Sequence, residues 1–384
     1  MEQGTSAGIE PHPLEFSGGG GEFFRVWIVN LLLKIVTLGF YTPFARRRTA
    51  QYFYSHTLIG GSPLEFTAQQ RKMVLGFLLL VGLYLAFKVA ADTGQGVVVT
   101  ILLFSGAALS PYFWASAMRF RLGSTRWRGV RPQFIATWGQ VYRAGWPVFA
   151  IAACWAGVAA VLGGALGDGP LPRLAAVAAA LVATLLCIIR LEYNYKALLV
   201  SRTFIGGQSG RWKPQYGDFV RIWLLTLAIF AGSVVLVAAA LFGAGAAALV
   251  TATQVGLVKV LLIAALALGG IFLLFLVSAP ARAFREARIF HLVWNNVGVS
   301  HIARFRCNLR VGAYVLLRIK NIFLTLLTLG FYRPFAAISE YRMKTQSVTL
   351  HVKGGLDQLH GQLVKQQDGL GDAIADAVGL DLVG

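Results

Sequence analysis

Apolar residues in this chain come in blocks too long and too uniform for the core of a soluble domain. Six stretches carry few charges, roughly 73–91, 97–117, 146–166, 174–191, 219–242 and 257–279. About 20 residues at 1.5 Å rise cross a ~30 Å hydrocarbon layer, so each reads as a membrane helix. Two further stretches, 23–41 and 313–335, are apolar but interrupted by glycine and followed or broken by proline. Composition agrees: charged residues are 13% of the chain, against about 25% in a soluble domain. The first 22 residues are polar, acidic and Gly-rich, with no pattern of a cleavable signal.

The net charge of +19 raises the question of nucleic acid, but its distribution answers for membrane topology. Most lysines and arginines fall in alternate loops, 42–72, 118–145, 190–221 and 281–312. The loops between them, 92–96, 167–173 and 250–258, are nearly free of both. Basic loops stay in the cytoplasm, which sets the expected orientation in a bacterial inner membrane. Arg46, Arg47, Arg48, Arg126, Arg128, Arg211, Arg304 and Arg306 are then expected to face anionic headgroups, at about 1 kcal/mol per cation near the surface. Membrane lipid is the expected partner and nucleic acid is not; no residue pattern specifies an oligomeric state.

Self-similarity organises the rest. TLGFYTPFA at 37–45 recurs as TLGFYRPFA at 328–336, and PLEFS at 13–17 recurs as PLEFT at 63–67. Weaker copies extend the pattern to about five units, each an apolar helix, a proline near its end, a short basic helix and a small hairpin. Gly60-Gly61, and Val348, Leu350 and Val352 before Gly354-Gly355, carry the strand–turn–strand signal. The fold class expected is an all-α polytopic membrane bundle of six full spans plus two re-entrant or spanning terminal segments. Short cytoplasmic β-hairpins from the repeat complete it. The expected layout is a tail over 1–22, one membrane domain over 23–355 and a low-complexity acidic tail over 356–384.

The block FFRVWIVNLLLKIVTLGFYTPFARRRTAQYFYSHTLIGGSPLEF at 23–66, with WNN at 294–296 and the second TLGFY block, resembles the YjgN-like family of bacterial inner-membrane proteins. The resemblance implies a multi-spanning inner-membrane protein and brings no activity or catalytic residue to carry over. The chain departs from the pattern in its third unit, where Ile189 stands near the place of the proline.

One polar face stands out. Asn30, Lys34, Thr37 and Tyr41 share a helical face, and Asn321, Thr325, Thr328 and Tyr332 repeat it, with Arg318 one turn earlier. Polar groups at membrane depth are costly unless they meet protein or water. The face therefore serves helix–helix hydrogen bonding, a substrate or ion path, or interfacial placement. Gly39, Pro43, Gly330 and Pro334 are the expected break points: glycine relaxes an apex, and proline keeps the returning residue extended. Such breaks in corresponding segments point to transporter sites.

Other constellations are lacking. The six histidines show no paired ligand spacing, and the three cysteines form no CxxC site. GGQSGRWK at 206–213 lacks phosphate-loop order and reads as a glycine turn. No metal, cofactor or catalytic residue is expected. The expected function is non-enzymatic transport or channelling of a small solute or lipid. The alternative is an envelope scaffold that binds lipid or protein.

Overall fold

The computed structural model describes residues 9–163, 169–251, 257–299 and 303–353, with Gly355, Gly361 and Leu363. Most of both expected tails, and the loops at 164–168 and 252–256, lie outside the described residues.

Long helices account for the apolar blocks: α3 (Gln70–Asp92), α4 (Gly96–Gly123), α5 (Trp138–Leu162), α6 (Pro170–Ser201), α7 (Tyr216–Thr251) and α8 (Leu257–Asn296). Among the described residues, five helices, α3 to α7, are long and apolar enough to cross a membrane. They bury little against one another, and Leu79, Leu80, Leu85, Ile101, Leu103, Leu181 and Leu236 are exposed. An apolar surface of this extent on helices of membrane-spanning length fits a lipid surrounding.

The first and last apolar segments fold differently. α1 (Gly20–Val36) and α9 (Val311–Leu327) are each 17 residues, about 26 Å of helix at 1.5 Å per residue. A tight turn follows each, and then a second helix, α2 (Thr42–Ser55) or α10 (Arg333–Gln346).

Between the helices run β1 (Ile9–Phe16), β2 (Thr57–Ile59), β3 (Ser62–Phe66), β4 (Thr125–Trp127), β5 (Pro132–Phe134), β6 (Thr203–Ile205), β7 (Gln208–Trp212), β8 (Val297–Val299), β9 (Ala303–Cys307) and β10 (Val348–Lys353). They form one ten-stranded antiparallel sheet in the order β4-β3-β2-β1-β10-β9-β8-β7-β6-β5. Its two end strands are consecutive in sequence, joined by a short turn in which Trp127 and Val130 exchange backbone bonds, N to O at 3.0 and 2.9 Å. The sheet thus curls into a barrel-like ring, which removes the exposed edges that strands of three to five residues would otherwise present. β1 pairs with β10, His12 opposite Leu350, so the two ends of the chain complete the ring.

Pairing sets which side chains face inward. Leu14 opposite Ile59, Leu64 opposite Trp127, and Leu350 opposite Phe305 put carbon into the lumen. The lumen is an apolar cavity of about 170 Å³, and Leu363 of the C-terminal segment sits in its lining. Alternation turns Arg126, Arg211, Arg304 and Arg306 to the outer face.

Several expectations change. The expected hairpins, marginal alone, join with the other strands in one barrel-like ring. Gly60 and Gly61 do turn β2 into β3 with φ of 55° and 72°, as Gly206 and Gly207 turn β6 into β7. The strand at Val348–Lys353, by contrast, pairs with β1 and β9 and has no hairpin partner after it among the described residues. Among the described residues, a separate short basic helix after the apolar one occurs only as α2 and α10. Elsewhere the apolar helix continues through, with Pro111 inside α4 and Pro280 inside α8.

Candidate functional site

The two TLGFY blocks build the same turn. Thr37 ends α1; its Oγ1 donates to Leu33 O at 2.6 Å and accepts from Tyr41 N at 3.0 Å. Thr328 repeats both bonds, to Leu324 O at 2.7 Å and from Tyr332 N at 2.9 Å. Leu38 N bonds Ile35 O and Gly39 N bonds Lys34 O, the double closure of a Schellman cap. That cap needs a left-handed residue just past the helix, and a leucine fills the position in both blocks, Leu38 at φ 49° and Leu329 at φ 50°. Gly39 and Gly330 follow at φ 92° and 96°.

Gly39 and Gly330 thus sit in the two turns with left-handed backbone, whereas Pro43 and Pro334 act in the opposite way to expectation. They do not hold an extended return. Tyr41 and Tyr332 are already helical, at ψ −6° and −11°, and each proline sits in the first turn of the next helix. There its missing N–H costs nothing and its fixed φ favours the helix.

The sheet brings the two hairpins together. Phe16 pairs with Thr57, so α1 and α2 leave and rejoin the ring at adjacent positions. Because β1 lies beside β10, the hairpin from the other end of the chain packs alongside. Phe24 stacks on Phe335 at 5.8 Å between centroids, Trp27 meets Phe331 edge-on at 6.2 Å, and Arg342 donates to Gly18 O at 2.7 Å. Gly20 is required at this contact, since a Cβ there would lie 2.6 Å from the Phe335 ring.

Within the second hairpin, Arg318, Asn321 and Thr325 line a cavity of about 360 Å³ with Arg333 and Glu340. Asn321, 1% exposed, donates from Nδ2 to Ser339 Oγ and Glu340 Oε1, both at 3.0 Å, and to Ala336 O at 3.4 Å. Arg318 forms an ion pair with Glu340. One turn toward the ring, Lys344 pairs with Glu286 at 2.5 Å, and Tyr314 OH donates to the same carboxylate at 3.0 Å. Burial alone pushes the Glu286 carboxyl up; the hydrogen bond and charge of Lys344, with Arg318 and Tyr314, outweigh it and hold the group below its ordinary 4.5.

The first hairpin replaces this network with aromatic packing. Aligning the TLGFY blocks sets Phe23, Trp27, Thr49 and Phe53 opposite Tyr314, Arg318, Glu340 and Lys344. Phe23 and Phe53 pack at 5.0 Å in a cluster with Phe16 and Tyr52. Asn30 remains, 3% exposed, and neither its Nδ2 nor its Oδ1 has a hydrogen-bond partner. Asn321 Oδ1 is likewise buried without one.

The predicted polar face is thus divided. Arg318, Asn321 and Thr325 share one cavity; Thr37, Tyr41, Thr328 and Tyr332 form the two turns; Lys34 ends α1. Tyr41 accepts from Arg48 Nη1 at 3.2 Å, so that arginine is engaged within its hairpin. Glu286, Glu340, Tyr314 and Lys344 escaped the sequence reasoning, although Glu286 and Glu340 are the two carboxylates of the basic region from 281 to 350. Among the described residues, no group of His, Cys, Asp and Glu could hold a metal.

Comparison with known proteins finds relatives that are inner membrane proteins. It is 26% identical over 140 residues to inner membrane protein YjgN of Salmonella typhimurium, covering 36% of this chain and 35% of that protein. It is 26% identical over 126 residues to inner membrane protein YjgN of Escherichia coli O157:H7, covering 33% and 32%. The chain thus matches about a third of the length of these curated relatives. No solved structure matches. With five exposed apolar helices of membrane-spanning length among the described residues and these relatives, the protein is an integral membrane protein. A family model described as a bacterial protein of unknown function (DUF898) matches residues 11–377, and the chain belongs to that family.

Proposed function

We propose that the protein is a non-enzymatic inner-membrane protein that moves a small solute or lipid past the paired TLGFY hairpins. In this proposal both hairpins are re-entrant, the basic outer face of the ring lies in the cytoplasm, and six helices span. One observation carries it: the hairpins bury two asparagines whose amide atoms are incompletely bonded, and one of them lines a cavity with Arg318 and Glu340. A buried amide without a partner costs about 1–3 kcal/mol, and such groups in native proteins mark water, ion or ligand positions. Broken helices with polar residues at membrane depth are also how transporters build substrate sites. Flux of candidate solutes and fluorescent lipids across sealed proteoliposomes tests the proposal. Asn30→Leu and Asn321→Leu are expected to abolish flux while the protein stays monodisperse; unchanged flux in both refutes the hairpin path.

A scaffold role is the second reading, favoured by Arg126, Arg211, Arg304 and Arg306 on the outer face of the ring. Salt-sensitive capture of anionic vesicles with no flux of any solute supports it.

A further inference from the structure

Where α3 begins and α4 ends, four cations converge on one small cavity. Lys72, Arg119, Arg126 and Arg131 line about 310 Å³ together with Gln69 and Ser124. No carboxylate lines it. Glu65 stands opposite Arg126 across the β3–β4 ladder, yet among the described residues no ion pair joins them. Arg119 is fixed in place, its Nη2 donating to Ala136 O at 2.7 Å and its guanidinium 4.2 Å over the Trp138 ring. Ser124 is buried, with its carbonyl accepting from Thr67 N at 2.8 Å. Arg126 Nε and Gln70 Nε2 are buried without partners.

Like charges that line one cavity repel unless an anion offsets them. Surface arginines usually avoid such crowding by extending into water; here packing holds Arg119 in the cavity wall. The first turn of α3 adds free backbone N–H groups, because its N-cap Gln69 makes no side-chain cap, and a helix N-terminus favours negative charge. The site also stands at the depth expected for a headgroup. Both helices that form it are membrane-capable, and the cavity lies at their sheet-side ends.

We propose that this cavity binds a phosphate group, carried by a phospholipid headgroup or by a free phosphate. Guanidinium forks match phosphate oxygens with paired N–H donors, and Lys72 adds a point charge. The cavity is at the small end of ligand sites, which run about 300–1,000 Å³, and so suits a headgroup more than a large polyanion. The site is separate from the hairpin cavity and stands whether or not the hairpins move a solute.

Native mass spectrometry of the full-length protein tests it, with titration of phosphatidylglycerol, phosphatidylcholine or inorganic phosphate. Phosphatidylglycerol binding that free phosphate does not displace assigns a lipid headgroup. Saturable phosphate binding that competes with the lipid assigns the free anion. Either way, R126Q/R131Q is expected to lose about thirty-fold in affinity, since a cation at an anionic surface contributes about a factor of five. R304Q/R306Q, on the outer face of the ring elsewhere, is expected to retain most of it. Lys72→Gln, an exposed change at the helix start, gives a second measure with little risk to folding and is expected to lose about five-fold. Wild-type affinity for both probes in R126Q/R131Q and Lys72→Gln, or an equal loss in R304Q/R306Q, overturns the site.

Discussion

Asn30 and Asn321 occupy the same place in the two TLGFY hairpins, yet Asn321 reaches three acceptors on α10 and Asn30 reaches none on α2. The residues opposite explain this: Ser339 and Glu340 on α10 correspond to Arg48 and Thr49 on α2. The two substitutions to leucine should therefore part company in stability. Asn321→Leu leaves the Glu340 carboxylate short of a donor and is expected to cost about 1–3 kcal/mol. Asn30→Leu removes a buried amide that has no partner, and is expected to be neutral or stabilising. Thermal unfolding of the two variants in detergent measures the difference; an equal loss in both would show that Asn30 is bonded after all.

The turn after α1 stores backbone strain at a residue other than its glycine. Left-handed backbone costs a residue with a Cβ about 1–2 kcal/mol, and Leu38 bears it with a side chain 90% exposed. Gly39→Ala is expected to add a similar cost, about 1–2 kcal/mol. The cost would be purely one of backbone, because no atom lies within 4 Å of the new Cβ. Leu38→Gly is expected to be neutral or mildly stabilising. Unfolding midpoints of the two single variants, and of the same pair at Leu329 and Gly330, check the argument twice.

Acid should loosen the second hairpin before the first. Glu286 lies in the part of α8 beyond its apolar stretch, and its carboxyl is held below 4.5 in the fold. A depressed carboxylate stabilises the fold at pH values above its unfolded value, and the contribution disappears as pH falls through the folded one. Stability should then hold steady near neutral pH and fall below about pH 4.5. Glu286→Gln is expected to flatten that fall, and Lys344→Gln, which removes the main group holding the carboxyl down against burial, to shrink it as well. Melting temperature against pH for the three proteins decides; identical curves would remove Glu286 from the network.

Membrane helices and the paired hairpins were legible because their signals are local. A block of apolar residues and a TLGFY string each declare themselves within one window. The ring was not, since its strands are mostly three to five residues long and its pairing joins Leu14 to Ile59, and His12 to Leu350 across nearly the length of the chain. Val348, Leu350 and Val352 gave a strand, but nothing near them named β1 as the partner. The Arg318–Glu340 and Lys344–Glu286 pairs were hidden for the same reason, although two carboxylates in a basic region were a usable sign. The role of Pro43 was misjudged because a proline after a glycine fits a helix start as well as an extended return, and only Tyr41 ψ separates them.

Sidedness of the chain ends is the last consequence of the ring. β1 lies between β10 and β2, and Phe16 and Thr57 are paired neighbours. α1 and α2 must therefore begin and end on the same side as the sheet, and so must α9 and α10, which connect β9 to β10. Glu10 of β1 and Ser209 of β7 then share a side, while Gln95, in the turn between α3 and α4, lies at the far end of that helix pair. With Cys154, Cys187 and Cys307 replaced by serine, an impermeant thiol reagent added to spheroplasts is expected to label Gln95→Cys. It should spare Glu10→Cys and Ser209→Cys until the membrane is opened. Labelling of Glu10→Cys from outside while Ser209→Cys stays protected would mean that α1 crosses the membrane. The β1–β10 pairing would then be absent from the protein in its membrane, and eight spans would replace the six proposed.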